Sequence, residues 1–355
     1  MATTDYPLNH PLAVKLWSKK LMQEALKQTY FAKFIGKTSG SLIQIKEETS
    51  KGAGDKITFG LRMQLTSDGV VGDATLEGNE ESLVTYSDSV LINQVRNAVR
   101  SDGKMSEQRV PFSVREEARM GLTDWFADMW DTAFFNQLCG NTSQATGAKS
   151  GNNATVAPSS TRIQYSDGKT TEAGIASTGA STQMRLTLID YAVEKAKTAS
   201  PMIRPVKVNG EDMWVCFMHP YQVTQLRTTT DTGQWLDIQK AAMTGGKIAD
   251  NPIFTGALGV YNNVILHEST RIPASPTQST VKRAVLCGAQ AGVIAFGQDF
   301  GGGETGSNFK WNEKLFDYDN QLGVSAASIY GLKKTIFNSV DFATIVIPTQ
   351  SIAST

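Results

Sequence analysis

The stretch DMWVCFMHPYQ (Asp212 to Gln222) places Cys216 three residues before His219. A thiol and an imidazole are the parts of a cysteine nucleophile with its base, or of a metal site. Geometry argues against their convergence. If Met213 to Met218 form a strand, successive side chains alternate faces, and Cys216 and His219 have opposite parity. If a helix begins at Pro220, His219 stands at its cap and Cys216 remains a small core residue. The chain holds three histidines (His10, His219 and His267), so a metal site or a triad has few residues to recruit.

Three further motifs weaken on inspection. GGGETG (Gly301 to Gly306) matches the dinucleotide pattern G-x-G-x-x-G, but no helix signal follows to hold a pyrophosphate at its N-terminus, so a flexible glycine loop is the better reading. LHEST (Leu266 to Thr270) starts like a zinc-protease motif, yet Arg271 stands where the second histidine is needed. DYDNQLG (Asp317 to Gly323) starts like a calcium loop, with Leu322 in place of the sixth-position glycine and Ser328 in place of the final glutamate. A surface turn is expected there, with a weak ion site near Asp317 and Asp319 as the alternative. The sequence has no P-loop lysine, no nucleophile elbow and no paired carboxylates at a clean helical spacing. It nominates no catalytic residue, no cofactor and no metal; a cytoplasmic enzyme using Cys216 and His219 stays as the minor alternative.

The whole chain is that of an ordinary globular protein. Its 355 residues can bury a sizeable core, with 40% hydrophobic and 19% charged residues. Lysine plus arginine equals aspartate plus glutamate at 34 each, which does not point to a general nucleic-acid binder. The start shows no basic and apolar leader pattern, so no secretory signal is expected. The longest mostly apolar run, Ala284 to Phe296, is too short to span a bilayer, which takes about 20 residues, so no membrane is expected. Cys139, Cys216 and Cys287 are few, odd in number and far apart, as in a reducing compartment. The sequons at Asn141 and Asn153 are then without meaning.

The elements that must position these residues come next. An amphipathic helix is predicted from about His10 to Phe31, with Asn9 as N-cap, a stripe of Val14, Trp17, Leu21 and Ala25, and Lys15, Lys19, Lys20 and Lys27 around it. From Lys56 to Leu65, apolar Ile57, Phe59, Leu61, Met63 and Leu65 alternate with Thr58, Gly60, Arg62 and Gln64, the period of a half-buried strand. A second extended segment, Leu83 to Val99, makes with it a protruding hairpin whose long tip is acidic. The longest helix signal runs from about Pro111 to Cys139 and ends at Gly140. Its second half, WFADMWDTAFF, is apolar on more than one side and needs partners on several faces. Residues 141–183 are about half Gly, Ser, Thr and Asn and are expected to be a polar surface insertion. Beyond it the sequence predicts a helix over Met184 to Ser200, a hairpin about Asn209–Gly210, helices in PYQVTQLR and GQWLDIQKAAM, and then glycine-punctuated strands to the end. The class is α+β, without regular βαβ alternation.

Charge is unevenly placed. Residues 1–46 carry seven lysines against Asp5 and Glu24, a net +5; residues 47–90 carry nine acids against Lys51, Lys56 and Arg62, a net −6. Each is either a solvated surface, where exposed pairs are worth about 0–1 kcal/mol, or one half of a clasp. For the clasp the candidate intersubunit residues are Lys15, Trp17, Lys19, Lys20 and Lys27 in the arm, and Arg62, Asp73, Glu77, Glu80 and Glu81 in the hairpin.

An N-terminal arm with a helix, a long acidic two-stranded loop, one long helix, a mixed region containing VNGEDMWVCFMHPYQVTQLR and GALGVYNNVILHES, and terminal strands occur here in that order. This order resembles the major capsid proteins of tailed bacteriophages and their Johnson fold, in particular the branch of large short-tailed phages. The resemblance covers nearly the whole chain, and its single motifs are weaker than their order. It implies an N-arm over 1–50, an extended E-loop hairpin over 54–99 and a spine helix of the P-domain over 107–140. Residues 184–330 would be mainly A-domain with P-domain segments, and 331–355 C-terminal strands; the insertion at 141–183 is a departure. It implies self-assembly into pentamers and hexamers of an icosahedral head around double-stranded DNA, in the host cytoplasm, with no catalytic residues. The implied partners are other copies of the chain, scaffolding and portal proteins, a decoration protein, and packaged DNA through non-specific contact. Another virion component, a tail tube or decoration protein, is the alternative.

Overall fold

The structure is a computed structural model that describes residues 30–46, 54–62, 65, 67–208, 210–228, 257–297 and 309–353. The predicted first helix and the GQWLDIQKAAM helix lie outside the described residues, apart from Tyr30 and Phe31. These two open a 3₁₀ turn, Tyr30–Phe34, rather than closing an α-helix. Among the described residues no helix is long and apolar enough to cross a membrane.

In chain order the strands and helices are β1 (Ile35–Gly36), β2 (Ile43–Lys46), β3 (Lys56–Arg62), β4 (Thr85–Leu91), β5 (Asn93–Arg100), α1 (Lys104–Gln108), α2 (Val114–Leu138), α3 (Glu172–Thr178) and α4 (Leu186–Thr198). There follow β6 (Val206–Val208), β7 (Glu211–Met218), α5 (Pro220–Thr228), β8 (Ala257–Tyr261), β9 (Val264–Glu268), β10 (Val281–Cys287), β11 (Gly292–Phe296), β12 (Phe309–Phe316), β13 (Gln321–Lys334), β14 (Ile336–Phe337), β15 (Val340–Asp341) and β16 (Thr344–Gln350).

The strands form two main sheets. One runs β1-β2-β11-β13-β12, with β5 on the free flank of β13; the other runs β16-β10-β7-β9-β8, with β6 on β7. In the second sheet β7 and β16 are buried on both faces over most of their length, which is why their sequences read as apolar runs rather than alternations. Turn chemistry fixes the hairpins: Tyr261 pairs with Val264 across Asn262 and Asn263, both left-handed (φ 44° and 59°), the conformation an Asn-Asn hairpin turn adopts.

The long helix forms much as predicted. Ser113 accepts the Glu116 N–H at its start, and Gly140, at φ 64°, ends it. At about 1.5 Å per residue its 25 residues span roughly 37 Å. Ala118, Leu122, Phe126 and Met129 pack against Val95, Val324, Ala326 and Tyr330 of the first sheet. Its last turns, from Ala133 to Leu138, are buried on every side between the sheets. The predicted 107–140 unit is not one helix: α1 ends at Gln108 and α2 begins only at Val114, since Pro111 lacks the N–H that a continuous helix needs.

Two other boundaries move. The extended segment from Leu83 to Val99 breaks at Ile92: β4 pairs with β3, and β5 joins β13 in the large sheet. The 330/331 boundary falls inside β13. The larger correction concerns residues 141–183. The segment lies largely at the surface but is not a loose insertion: Ser150, Asn153, Arg162, Ser166, Ile175 and Thr182 are buried. It is stitched to distant backbone by hydrogen bonds, such as Arg162 Nη2 to the Pro201 carbonyl at 2.6 Å and Gln164 N to the Val346 carbonyl at 2.9 Å. Polar composition excludes a hydrophobic core of its own, but not burial of polar groups that find partners.

Candidate assembly interface

The residues that could have done chemistry do not meet. Cys216 lies on β7 between Leu286 of β10 and Leu266 of β9, fully buried, and burial pushes its thiol up to about 12. Cys139 and Cys287 are buried too, and burial raises both thiols. His219 caps α5: its Nδ1 accepts the Tyr221 N–H at 3.2 Å, and its own N–H donates to Gln222 Oε1 at 2.9 Å. The Gln222 half is that of a capping box, while the imidazole takes the amide one residue earlier, as an N-cap acceptor does. Burial, helped by the charge of Lys282, lowers the imidazole to about 4, so it is neutral and able to accept.

His267 is a buried strand residue whose ring meets Phe34 edge-on at 5.2 Å. Asp317 and Asp319 occupy the turn between β12 and β13, where residues 317 to 319 all have positive φ (50°, 49° and 66°) and Tyr318 is fully exposed. Among the described residues no group of three or more His, Cys, Asp or Glu could hold a metal ion. The glycine run at 301–306 lies outside the described residues, as do the arm residues Lys15, Trp17, Lys19, Lys20 and Lys27.

The hairpin presents a different kind of site. β3 and β4 pair from Lys56↔Leu91 to Arg62↔Thr85, and the alternation of β3 buries Ile57 while Lys56, Thr58 and Arg62 are exposed. Beyond Arg62, residues 63–84 contain Asp68, Asp73, Glu77, Glu80 and Glu81, and no Lys, Arg or His. Apolar side chains stand in solvent beside these acids, including Val71, 86% exposed, and Leu76, 60% exposed. An exposed loop that is both apolar and of one charge sign is poorly suited to water and well suited to a partner. The acids divide into two kinds. Glu81 accepts the Ser67 N–H at 2.8 Å across the loop, and Glu80 accepts the Gly78 N–H at 2.8 Å, so both hold the tip's shape. Asp73 and Glu77 are exposed carboxylates.

At the first described residues, Asp131 of α2 accepts the Tyr30 N–H at 2.9 Å and the Phe31 N–H at 3.2 Å. Arg271 bridges Asp131 and Asp128. Burial raises the Asp131 carboxyl, against those two backbone hydrogen bonds and the charge of Arg271. Phe31 stacks on Phe134 at 5.1 Å. Sequence reading missed this anchor, although an aspartate within the apolar run WFADMWDTAFF was a visible signal.

A family model described as phage capsid protein matches residues 5–353. The chain belongs to that family. The capsid protein is 30% identical over 352 residues to the major capsid protein of Pseudomonas phage KPP25, covering 92% of this chain and 90% of the relative. Among solved structures it is similar to the capsid of Ralstonia phage GP4, with a TM-score of 0.82, 33% identity and all of both chains covered. It also resembles the cyanophage Pam1 capsid subunit, at 21% identity and a TM-score of 0.75 over 99% of this chain and 100% of the other, which bears on the fold alone. The capsid protein has the tailed-phage capsid fold that the order of its elements implied.

On the side of β5, β13 and β12 away from α2 stand Arg96 and Arg100, then Gly323, Ser325 and Ala327, then Lys314. Arg96 and Lys314 are exposed, and Arg100 stacks on Phe316 at 4.4 Å.

Proposed function

We propose that this chain is the major capsid subunit of a phage head, assembling with copies of itself into the pentamers and hexamers of an icosahedral shell around double-stranded DNA. The observation that carries the reading is the similarity to the Ralstonia phage GP4 capsid, which spans both chains completely at 33% identity. The exposed hairpin tip supports it, because a tip that is acidic and apolar gains a partner only from another molecule or another part of the chain.

On this reading residues 1–50 serve as the arm, hairpin β3–β4 as the extended loop and α2 as the spine. The later segments are divided between axial and peripheral domains. The subunit works by contact and not by catalysis: Cys216 is buried and His219 is committed to capping. Scaffolding, portal and decoration proteins are its expected partners in the head, which forms in the host cytoplasm and becomes part of the virion. Packaged DNA meets the shell without sequence-specific readout, in keeping with a net charge of zero.

The hairpin and arm make an intersubunit clasp in which Asp73 and Glu77 face lysines of the arm, with Arg62 a further contact and Glu80 and Glu81 also holding the shape of the loop. Electron microscopy of the purified protein tests the reading. Rings or closed shells tens of nanometres across are expected. A protein that stays monomeric at high concentration, even with its scaffolding partner, overturns it.

A further inference from the structure

We propose that Asn153 is a positioning residue for assembly: its side chain sets the angle at which hairpin β3–β4 leaves the body of the subunit. The inference rests on the assembly reading above.

β4 and β5 are one extended stretch of chain interrupted at Ile92. Leu91 is the last residue of the β3–β4 ladder, the Ile92 N–H adds one more bond to the Asp55 carbonyl at 2.9 Å, and Asn93 is the first residue paired to β13 in the large sheet. The direction of the hairpin is therefore decided around Leu91. There a single amide acts as a neighbouring strand would. Asn153 Oδ1 accepts the Leu91 N–H at 2.9 Å, and Asn153 Nδ2 donates to the Leu91 carbonyl at 3.0 Å. The same Nδ2 lies 2.9 Å from the Gly151 carbonyl and 3.3 Å from the Leu332 carbonyl of β13. Gln137 Nε2, on α2, donates to the backbone carbonyl of Asn153 at 2.9 Å. Hairpin, sheet and long helix are joined through one residue that is 4% exposed.

The surroundings leave the joint little slack. A Cβ at Gly331 would come within 1.9 Å of the Leu91 carbonyl oxygen, so the hairpin's last residue lies directly against the backbone of β13. A Cβ at Gly151, whose φ is +67°, would come within 2.6 Å of Leu332. Three residues up the hairpin, Asp88 pairs with Lys333 and accepts the Ile336 N–H at 3.0 Å. Ile57 and Val90 are buried against Val293 and Ala295 of β11. Of these contacts only the Asn153 amide engages both the donor and the acceptor of the pivot residue.

The leverage is large. The seven residues of β4 extend about 23 Å at roughly 3.3 Å each. A turn of about 10° at Leu91 would move the far end by about 4 Å, whereas pre-organised interfaces keep their backbone within about 1 Å. Contacts made by the tip on another subunit depend on that angle.

The test compares Asn153→Ala and Asn153→Ser with Asn136→Ala. Asn136 Nδ2 donates to the Lys149 carbonyl at 2.9 Å, so it secures the same segment from α2 without touching the hairpin. Three quantities are read: the urea midpoint, hydrogen exchange at the Leu91 amide, and particle diameter by electron microscopy. Expected are folded Asn153 variants whose Leu91 amide exchanges at least about tenfold faster and whose particles are open or mixed in diameter. Asn136→Ala, at a comparable midpoint, should give particles of the wild-type diameter. Normal particles from both Asn153 variants overturn the positioning role. So do aberrant particles from Asn136→Ala, which would make the effect one of stability, and so does failure of both Asn153 variants to fold. Wild-type protein that forms no particles overturns the assembly reading instead.

Discussion

Arg283 holds Glu172 at two points, Nε to Oε1 at 2.6 Å and Nη2 to Oε2 at 3.0 Å, while its Nη1 donates to the Gly140 carbonyl at 2.7 Å and the Cys139 carbonyl at 3.2 Å. One strand residue thereby caps the C-terminal end of α2 and meets the first residue of α3, a cation at a helix C-terminus and an anion at an N-terminus. Both side chains are largely buried. Removing one partner of such a pair leaves an uncompensated buried charge and costs about 3–5 kcal/mol. Arg283→Met is expected to lower the unfolding free energy by about that amount, and Arg283→Met with Glu172→Leu to recover part of it, as read from urea midpoints. A single variant within about 0.5 kcal/mol of wild type would remove the bridge from the stabilising contacts.

The same pair gives acid sensitivity at low pH. Burial alone would raise the Glu172 carboxyl; hydrogen bonds from Arg283 and Ser275 outweigh it and hold the group below its usual range. A depressed carboxylate adds stability that is present above the unfolded value, about 4.3, and is lost as pH falls through the folded one.

His219 acts in a higher window. Its folded value is about 4 and its unfolded value about 6.5. Between the two, the unfolded chain binds a proton that the buried imidazole cannot take without losing the Tyr221 N–H. The contribution is therefore full above about pH 6.5 and is lost as pH falls toward 4. His219→Asn keeps an N-cap acceptor and does not titrate, so its urea midpoint should fall less between about pH 7 and pH 4.5 than that of wild type. Parallel pH profiles for the two proteins would show that the cap does not titrate as argued.

Charge reversal separates shape from contact at the hairpin tip. Asp73→Lys with Glu77→Lys should leave the unfolding midpoint within about 0.5 kcal/mol of wild type, as exposed substitutions do, while slowing or preventing particle formation. Raising the salt should weaken wild-type assembly in parallel, since the screening length falls to about 10 Å at 0.1 M. Reversal at Glu80 or Glu81 should also loosen the loop, because those carboxylates accept the Gly78 and Ser67 amides. Assembly indifferent to all four reversals would eliminate the clasp.

How much of this was legible follows from where each cause lies in the chain. The long helix was readable because its apolar residues and its terminating Gly140 lie close together in the chain. The capping of α5 was readable because strand parity and Pro220 lie within a few residues of His219. The break at Ile92 was not, because the chain stays extended on both sides of it and the pairing partner changes from β3 to β13. Nor was the burial of residues 141–183. Asn153 meets Leu91 from 62 positions away and Arg162 meets Pro201 from 39, so no local window contains both partners. The anchor of the arm failed for the same reason, since Asp131 and Tyr30 are 101 positions apart. Composition marked the segment as polar and could not say which of its polar groups find partners far along the chain.

The thiols offer a direct check on the absence of thiol chemistry. The thiolate is the reactive form, and an ordinary cysteine at pH 8 is substantially ionised, with a value near 8.5. Burial pushes Cys139 and Cys216 up to about 12 and Cys287 well above its usual range, and all three are closed to solvent. At pH 8 thiols of that kind stay protonated. Native protein should therefore show no reaction with a chromogenic disulfide reagent over hours, while all three cysteines react at once in denaturant. Reaction limited by local opening would be slow and would track the unfolding free energy. Fast native labelling of Cys216 that disappears in His219→Asn would instead mean that thiol and imidazole cooperate, and would revive the reading of the pair as an active site.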